Sequence, residues 1–237
     1  LSEIWKFSKA QAIVDYLGIR GHSIKKHPFR RIIFEVLSRS GMLNKSRVFV
    51  QNEDFMNIPD NIYLCGYWES EKYFADVKEL VREKFKFSAD CFNPELAQKI
   101  LACNSSAVHV RRGDKVTCKD FFASDENYIK NAITKLSALT QEPEFFVFSD
   151  DIAWCRENLP KNYPANYTFI ENQTPQQDMA LMTLCKHVII GPSTFSWWGA
   201  WLNENPNKII IAPDINLWYA NYPSKDDLIP DEWIKIS

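Results

Sequence analysis

Between residues 106 and 212 the chain alternates short, nearly continuous apolar runs with stretches whose apolar positions recur every three or four residues. The runs are SAVHVR (106–111), EFFVFS (144–149), YTFIE (167–171), HVIIG (187–191) and KIIIA (208–212). Each is too short for a helix and too uniformly apolar for a strand with one wet face, so each predicts a strand covered on both sides. Helices are predicted between them at 125–139, near 152–158, at 175–186 and at 195–204. Five strands separated by four helices predict an α/β fold, a Rossmann-like doubly wound parallel sheet. Ligands of such sheets lie beyond the carboxyl ends of the strands.

The first hundred residues have a different texture, mostly helical. In HPFRRIIFEVLSRSG (27–41), Phe29, Ile32, Ile33, Val36 and Leu37 recur at helical spacing, with Pro28 in the first turn and Gly41 at the exit. RVFVQ (47–51) and YLCGYW (63–68) predict short strands. Ser70 predicts the cap of a helix reaching about Phe85, with Tyr73, Phe74, Val77, Leu80 and Val81 on one face, and a short helix follows Pro94. The domain organisation expected is an N-terminal half over 1–104, a nucleotide-binding domain over 105–213 and a tail over 214–237 that packs back on the body.

Composition narrows the partners. The 237 residues carry a net charge of −2 and a pI near 6.1, so no chain-wide field favours nucleic acid and any basic site is local. Cysteines at 65, 91, 103, 118, 155 and 185 include no CxxC pair and several sit in apolar stretches. That pattern predicts reduced cysteines of a cytosolic protein, not a disulfide framework or a zinc site. No apolar run approaches the ~20 residues that span a bilayer, and no signal peptide is visible, so membrane association would be peripheral, at the inner face.

Three predicted strand ends carry polar clusters. The first is His109-Val110-Arg111-Arg112-Gly113-Asp114, in which alternation puts His109 and Arg111 on one side and Val110 on the other. An arginine leaving a strand end presents a fork of donors that matches phosphate, and Asp114 can hold one arginine or act as a base. A solvated turn with an Arg–Asp pair is the plain alternative. The second cluster is Ser149-Asp150-Asp151, where one carboxylate suits a helix cap and the other matches the paired N–H donors of a guanine. The third is Gly191-Pro192-Ser193-Thr194-Phe195-Ser196, small hydroxyl residues opening a helix, which suits an anion. Asp178, near another helix start, reads as a cap. Neither a GxGxxG fingerprint nor a Walker lysine is present.

His-x-Arg-Arg-x-Asp at 109–114, FVFSDD at 146–151, DMALMTLCKHVIIGPSTFSWWGAWL at 178–202, GYWESEKYF at 66–74 and IPDEWIKI at 229–236 together resemble the bacterial α-1,2-fucosyltransferase family. The resemblance implies a GT-B-like architecture of two facing halves, the N-terminal one mostly helical and incomplete here, with the nucleotide sugar on the C-terminal half. It implies transfer of L-fucose from GDP-fucose to the 2-hydroxyl of a galactose-terminated glycan, with inversion and without a metal or other cofactor. Arg111 would bind the β-phosphate, His109 would lie beside the nucleotide, Asp151 or Asp150 would hold guanine, and Ser193, Thr194, Phe195 and Ser196 would surround the diphosphate and ribose. Arg111 and Asp114 are the catalytic candidates, the latter as base. Two departures stand out: the family's Gly-rich opening loop is missing from a chain that begins at Leu1, and Pro192 stands where the family commonly has Asn. A transferase for another nucleotide sugar and a catalytically incomplete GDP- or glycan-binding protein are the alternatives.

Overall fold

The computed structural model describes residues 70–117, 122–218 and 227–237, with the backbone of 43–44 and 63–64. The helix expected at 27–41, the strand at 47–51 and most of that at 63–68 lie outside the described residues. Two compact units divide the chain, Leu1–Lys78 with Asp226–Leu228, and Glu79–Lys225 with Ile229–Ser237. In the first, β1 (Leu43–Asn44) pairs in parallel with β2 (Tyr63–Leu64), and Lys72 forms an ion pair with Asp227.

Ser70 caps a helix as expected, its side chain accepting the N–H of Lys72 at 3.4 Å. The winding differs from expectation: Glu71–Val77 is 3-10, with Phe74 out of helical geometry, and α-helix starts only with α1 (Lys78–Lys84). Adjacent aromatic residues at 73 and 74 lose side-chain freedom against the preceding turn and are weak helix formers.

The second unit takes in α1 from Glu79 onward and α2 (Pro94–Ala102) as well as the sheet. Its strands are β3 (Ser105–Val110), β4 (Glu144–Ser149), β5 (Asn166–Phe169), β6 (His187–Ile189), β7 (Ile210–Pro213) and β8 (Ile234–Ile236). Between them run α3 (Glu126–Leu139), α4 (Ile152–Asn162), α5 (Pro175–Leu184) and α6 (Thr194–Trp201). All five expected strands and four expected helices are present. The sheet is parallel throughout, in the order β5-β4-β3-β6-β7-β8. β8 was not expected; three residues, IKI, are too few to show a period.

Strand alternation sends Val108 and Val110 to the face covered by α3, where Tyr128, Ile129, Ala132, Ile133 and Leu136 pack with Phe145 and Val147. His109 points to the opposite face, beside Phe195 of α6 with ring centroids 5.5 Å apart. The Tyr128 hydroxyl donates to the carbonyl of Ile190 at 2.6 Å, tying the start of α3 to the end of β6. The chain enters the sheet at β3, steps outward to β5, then returns to β6 on the other side of β3. That reversal opens a crevice between the carboxyl ends of β3 and β6.

Candidate functional site

Both walls of this crevice are built by close backbone approach. A Cβ on Gly191, just past β6, would lie 2.8 Å from the carbonyl oxygen of His109, 2.7 Å from Ser124 Oγ and 3.3 Å from the Arg111 nitrogen. Only glycine lets the β6–α6 loop rest on the end of β3. Ser124 closes the same corner: its Oγ accepts the Arg111 N–H at 2.8 Å, and its own N–H donates to the Arg111 carbonyl at 2.7 Å. Lys115 reaches across from the β3 side to donate to the Pro192 carbonyl.

Register then brings the Arg and Asp clusters together. His109 sits opposite Phe148 and Val110 opposite Ser149, so the arginines and aspartates leave adjacent strands side by side. Asp150 accepts the Arg112 backbone N–H on Oδ1 at 2.9 Å and Arg111 Nη1 on Oδ2 at 2.7 Å. Asp151 caps α4 with Oδ1, 3.2 Å from the Trp154 nitrogen, and takes Arg112 Nε on Oδ2 at 3.3 Å. Each of the four oxygens therefore has a partner within the protein, and Asp150 and Asp151 hold the two arginines in place. Asp114 is different. It pairs with Arg111 Nη2 at 2.5 Å while its side chain is 75% exposed. The Arg111 guanidinium stays one-third exposed, held between one fixed and one free-standing carboxylate.

On the β6 side the helix starts tell a second story. Asn93, Asp125, Asp151 and Thr174 each cap their helices with a side-chain oxygen. Ser193 stands at the same position of α6 and its side chain makes no such bond. The first-turn N–H groups of α6 are thus left without a side-chain partner, an arrangement that favours an anion. Thr194 is exposed and Phe195 half-buried at this opening. Ser196 is fully buried and its hydroxyl turns inward, donating toward the carbonyls of Gly191 and Ser193, each 3.1 Å away, which fixes the loop.

Two buried polar atoms on the same face of the sheet have no hydrogen-bond partner, Nδ1 of His109 and Oδ1 of Asp178. Burial, with the charges of Arg111 and Lys115, lowers the His109 pKa to about 3 and keeps the ring neutral. Burial raises Asp178 to about 6. The cap that Asp178 was expected to form belongs to Thr174 and Gln177, which bond reciprocally as a capping box. Asp178, in the first turn of α5, instead lies toward the carboxyl edge of the sheet with an oxygen to spare. A half-buried acid with one unpartnered oxygen is the feature missed in the sequence, although T-x-x-Q just before it had already claimed the cap.

A parallel α/β sheet of Rossmann-like form, with cations and an uncapped helix start at its switch point, defines the class of this protein. The family follows: the chain belongs to glycosyl transferase family 11, whose model matches residues 42–237. It is 36% identical over 184 residues to an α-1,2-colitosyltransferase of Escherichia coli, an alignment covering 74% of this chain and 63% of that protein. It is 30% identical over 218 residues to the O-antigen biosynthesis glycosyltransferase WbnK of Escherichia coli, covering 86% and 70%. With galactoside α-(1,2)-fucosyltransferase 2 of Oryctolagus cuniculus it shares 32% identity over 263 residues, covering 99% and 72%. These names bear out the resemblance drawn from the motifs, and the chain spans less than two-thirds of the colitosyltransferase. Among solved structures, POFUT1 in complex with GDP is similar over 68% of this chain and 59% of its own, at 15% identity and a TM-score of 0.44.

Proposed function

We propose that this chain carries the donor site of an inverting α-1,2-fucosyltransferase, moving L-fucose from GDP-β-L-fucose to the 2-hydroxyl of a galactoside. The observation that carries this is the pairing, across the β3–β6 crevice, of a partly exposed Arg111 guanidinium with an uncapped α6 N-terminus. Both supply donors to an anion, and the family is one of glycosyl transfer. As the C1–O bond breaks, negative charge grows on the β-phosphate, and Arg111 with the first-turn N–H groups of α6 stabilises it. One such donor contributes about 3 kcal/mol, roughly 10²-fold in rate. Ser193, Thr194 and Phe195 border the diphosphate. The base meets His109 and Asp178, whose Oδ1 takes the role first given to Asp150 or Asp151: it accepts from the N1–H and amino group of guanine.

Charge balance assigns Asp114 its part. Arg111 pairs with Asp114 and Asp150 and Arg112 with Asp151, so an arriving diphosphate competes with a carboxylate for Arg111. Asp150 is locked between Arg112 and Gly113, and Asp151 caps α4. Asp114 alone is exposed enough to leave, and once released it takes the acceptor's hydroxyl proton. Among the described residues no three His, Cys, Asp or Glu side chains gather as a metal site, and the step proposed uses none. Among the described residues no helix is long and apolar enough to cross a membrane, and the four cysteines described are free. A cytoplasmic setting, at the inner face of the membrane, goes with this function.

A second donor has a specific observation behind it, the likeness to the colitosyltransferase. Colitose lacks one hydroxyl of L-fucose, so the same diphosphate chemistry serves both. Thermal-shift titrations with GDP, UDP and ADP, followed by transfer assays with GDP-fucose and GDP-colitose with and without EDTA, test the proposal. Stabilisation by GDP and transfer to a galactoside that EDTA leaves intact are expected, with transfer reduced by about 10²-fold or more in Arg111→Ala. Stabilisation by UDP alone, or full activity in Arg111→Ala, overturns it.

A further inference from the structure

We infer that a second cavity, on the other side of the β3 end, is a subsite for a neutral sugar unit of the acceptor; this rests on the glycosyltransferase function proposed above. The cavity measures about 520 Å³ and is lined by Arg112, Phe122, Asp125, Glu126, Trp154 and Asn216, among others. That volume lies in the range of small-ligand pockets.

It borders the donor crevice, since Ser124, which holds the Arg111 backbone, also lines it. Arg111 turns toward Asp114, while the next residue, Arg112, lies over the ring of Trp154 with its guanidinium carbon 3.9 Å from the centroid. One residue of chain thus separates the two sites, close enough for a glycan held in one to reach a sugar nucleotide held in the other.

Its charge selects the ligand. Asp125 brings a negative charge to the wall, and Arg112 is already paired with Asp151 at 3.3 Å. A net acidic lining repels a diphosphate and leaves a neutral ligand as the occupant. Its surface chemistry fits a hexose in particular. Phe122 is 42% exposed, a large aromatic ring that the core does not claim, and it offers a flat apolar face to the C–H side of a pyranose. Asp125 spends Oδ1 on the Tyr128 N–H, 3.0 Å away, and keeps Oδ2 for a hydroxyl. Asn216, exposed, also lines the cavity, its amide held by a 2.6 Å bond from Nδ2 to Asp214 Oδ1. Carboxylate, amide and guanidinium around an aromatic face complement the alternating hydroxyls and C–H patches of a sugar. They are poor partners for an anion.

The test has a readout that needs no catalysis. Saturation-transfer NMR with lactose on the full chain should give ring-proton signals that fall away in Phe122→Ala and weaken in Asn216→Ala, both surface changes that leave the melting temperature near wild type. In the transfer assay, Phe122→Ala should raise the acceptor KM about tenfold and leave the GDP-fucose KM unchanged. Absent lactose signals in the wild type, or signals untouched by both substitutions, overturn the subsite. A GDP thermal shift weakened by Phe122→Ala also overturns it, because the cavity then serves the nucleotide. Loss of the GDP shift in the wild type itself is a different failure: it sinks the proposed function, while the lactose signals still decide the cavity.

Discussion

Gly113→Ala is the sharpest probe of the arginine scaffold. A methyl group there would sit 2.3 Å from Oδ2 of Asp150 and 3.0 Å from its Cγ. The carboxylate cannot simply flex aside, because its other oxygen is fixed by the Arg112 N–H at 2.9 Å. Swinging away costs that bond and the 2.7 Å contact to Arg111 Nη1 together. Hydrogen bonds to charged groups contribute about 1.5–3 kcal/mol each. Asp150 is 27% exposed, so solvent screening pulls the loss below the roughly 3 kcal/mol that two such bonds would give at the least, and about 2 kcal/mol is expected. For a chain of this size that lowers the melting temperature by roughly 4–8 °C. Function should suffer more than stability. Arg111 would be left with only the exposed Asp114, and GDP affinity and transfer should drop by about 10²-fold, the scale of one misplaced transition-state donor. Differential scanning fluorimetry with and without GDP, alongside initial rates, measures both. A Gly113→Ala protein that melts like wild type and binds GDP as well refutes the clamp, and with it the scaffolding role of Asp150.

Asp114→Asn separates competitor from base: removing the carboxylate that occupies Arg111 should tighten GDP binding severalfold while transfer falls, and weaker GDP binding by calorimetry would sink the displacement idea. Stability should also respond to pH through His109, whose pKa is lowered by burial, then by Arg111 and Lys115, from 6.5 to about 3. The unfolded chain takes up a proton below pH 6.5 that the folded chain refuses, so this contribution is complete above 6.5 and is lost toward pH 3, at about 1.4 kcal/mol per unit. Asp178, raised to about 6, acts with the opposite sign but is common to wild type and His109→Gln, so the difference between their urea curves at pH 7, 6 and 5 isolates the histidine. The variant should lose less stability on acidification; parallel losses would place His109 in a solvated setting.

What the chain discloses before folding depends on which forces act locally. The four inner strands β4, β3, β6 and β7 are legible because burial on both faces demands continuous apolar side chains, whereas β5, at the sheet edge, is only partly buried. β8 is not legible, since Ile234–Ile236 becomes a strand only when β7 offers it an edge, with Ile234 opposite Ile211. The site divides along the same line. Arg111 and the β6–α6 loop announce themselves by residue type at a strand end. The partners of Asp150 and Asp151 do not, because a carboxylate after a strand serves equally as helix cap, arginine anchor or base reader. Only the β3–β4 register, which sets Val110 against Ser149, chooses among those uses. With Asp150 and Asp151 engaged and the α5 cap filled by Thr174, Asp178 is left as a half-buried acid with an oxygen still to satisfy. The proposed ligand-facing set therefore rests on which polar groups the fold leaves unanswered, not on which polar groups cluster in the sequence.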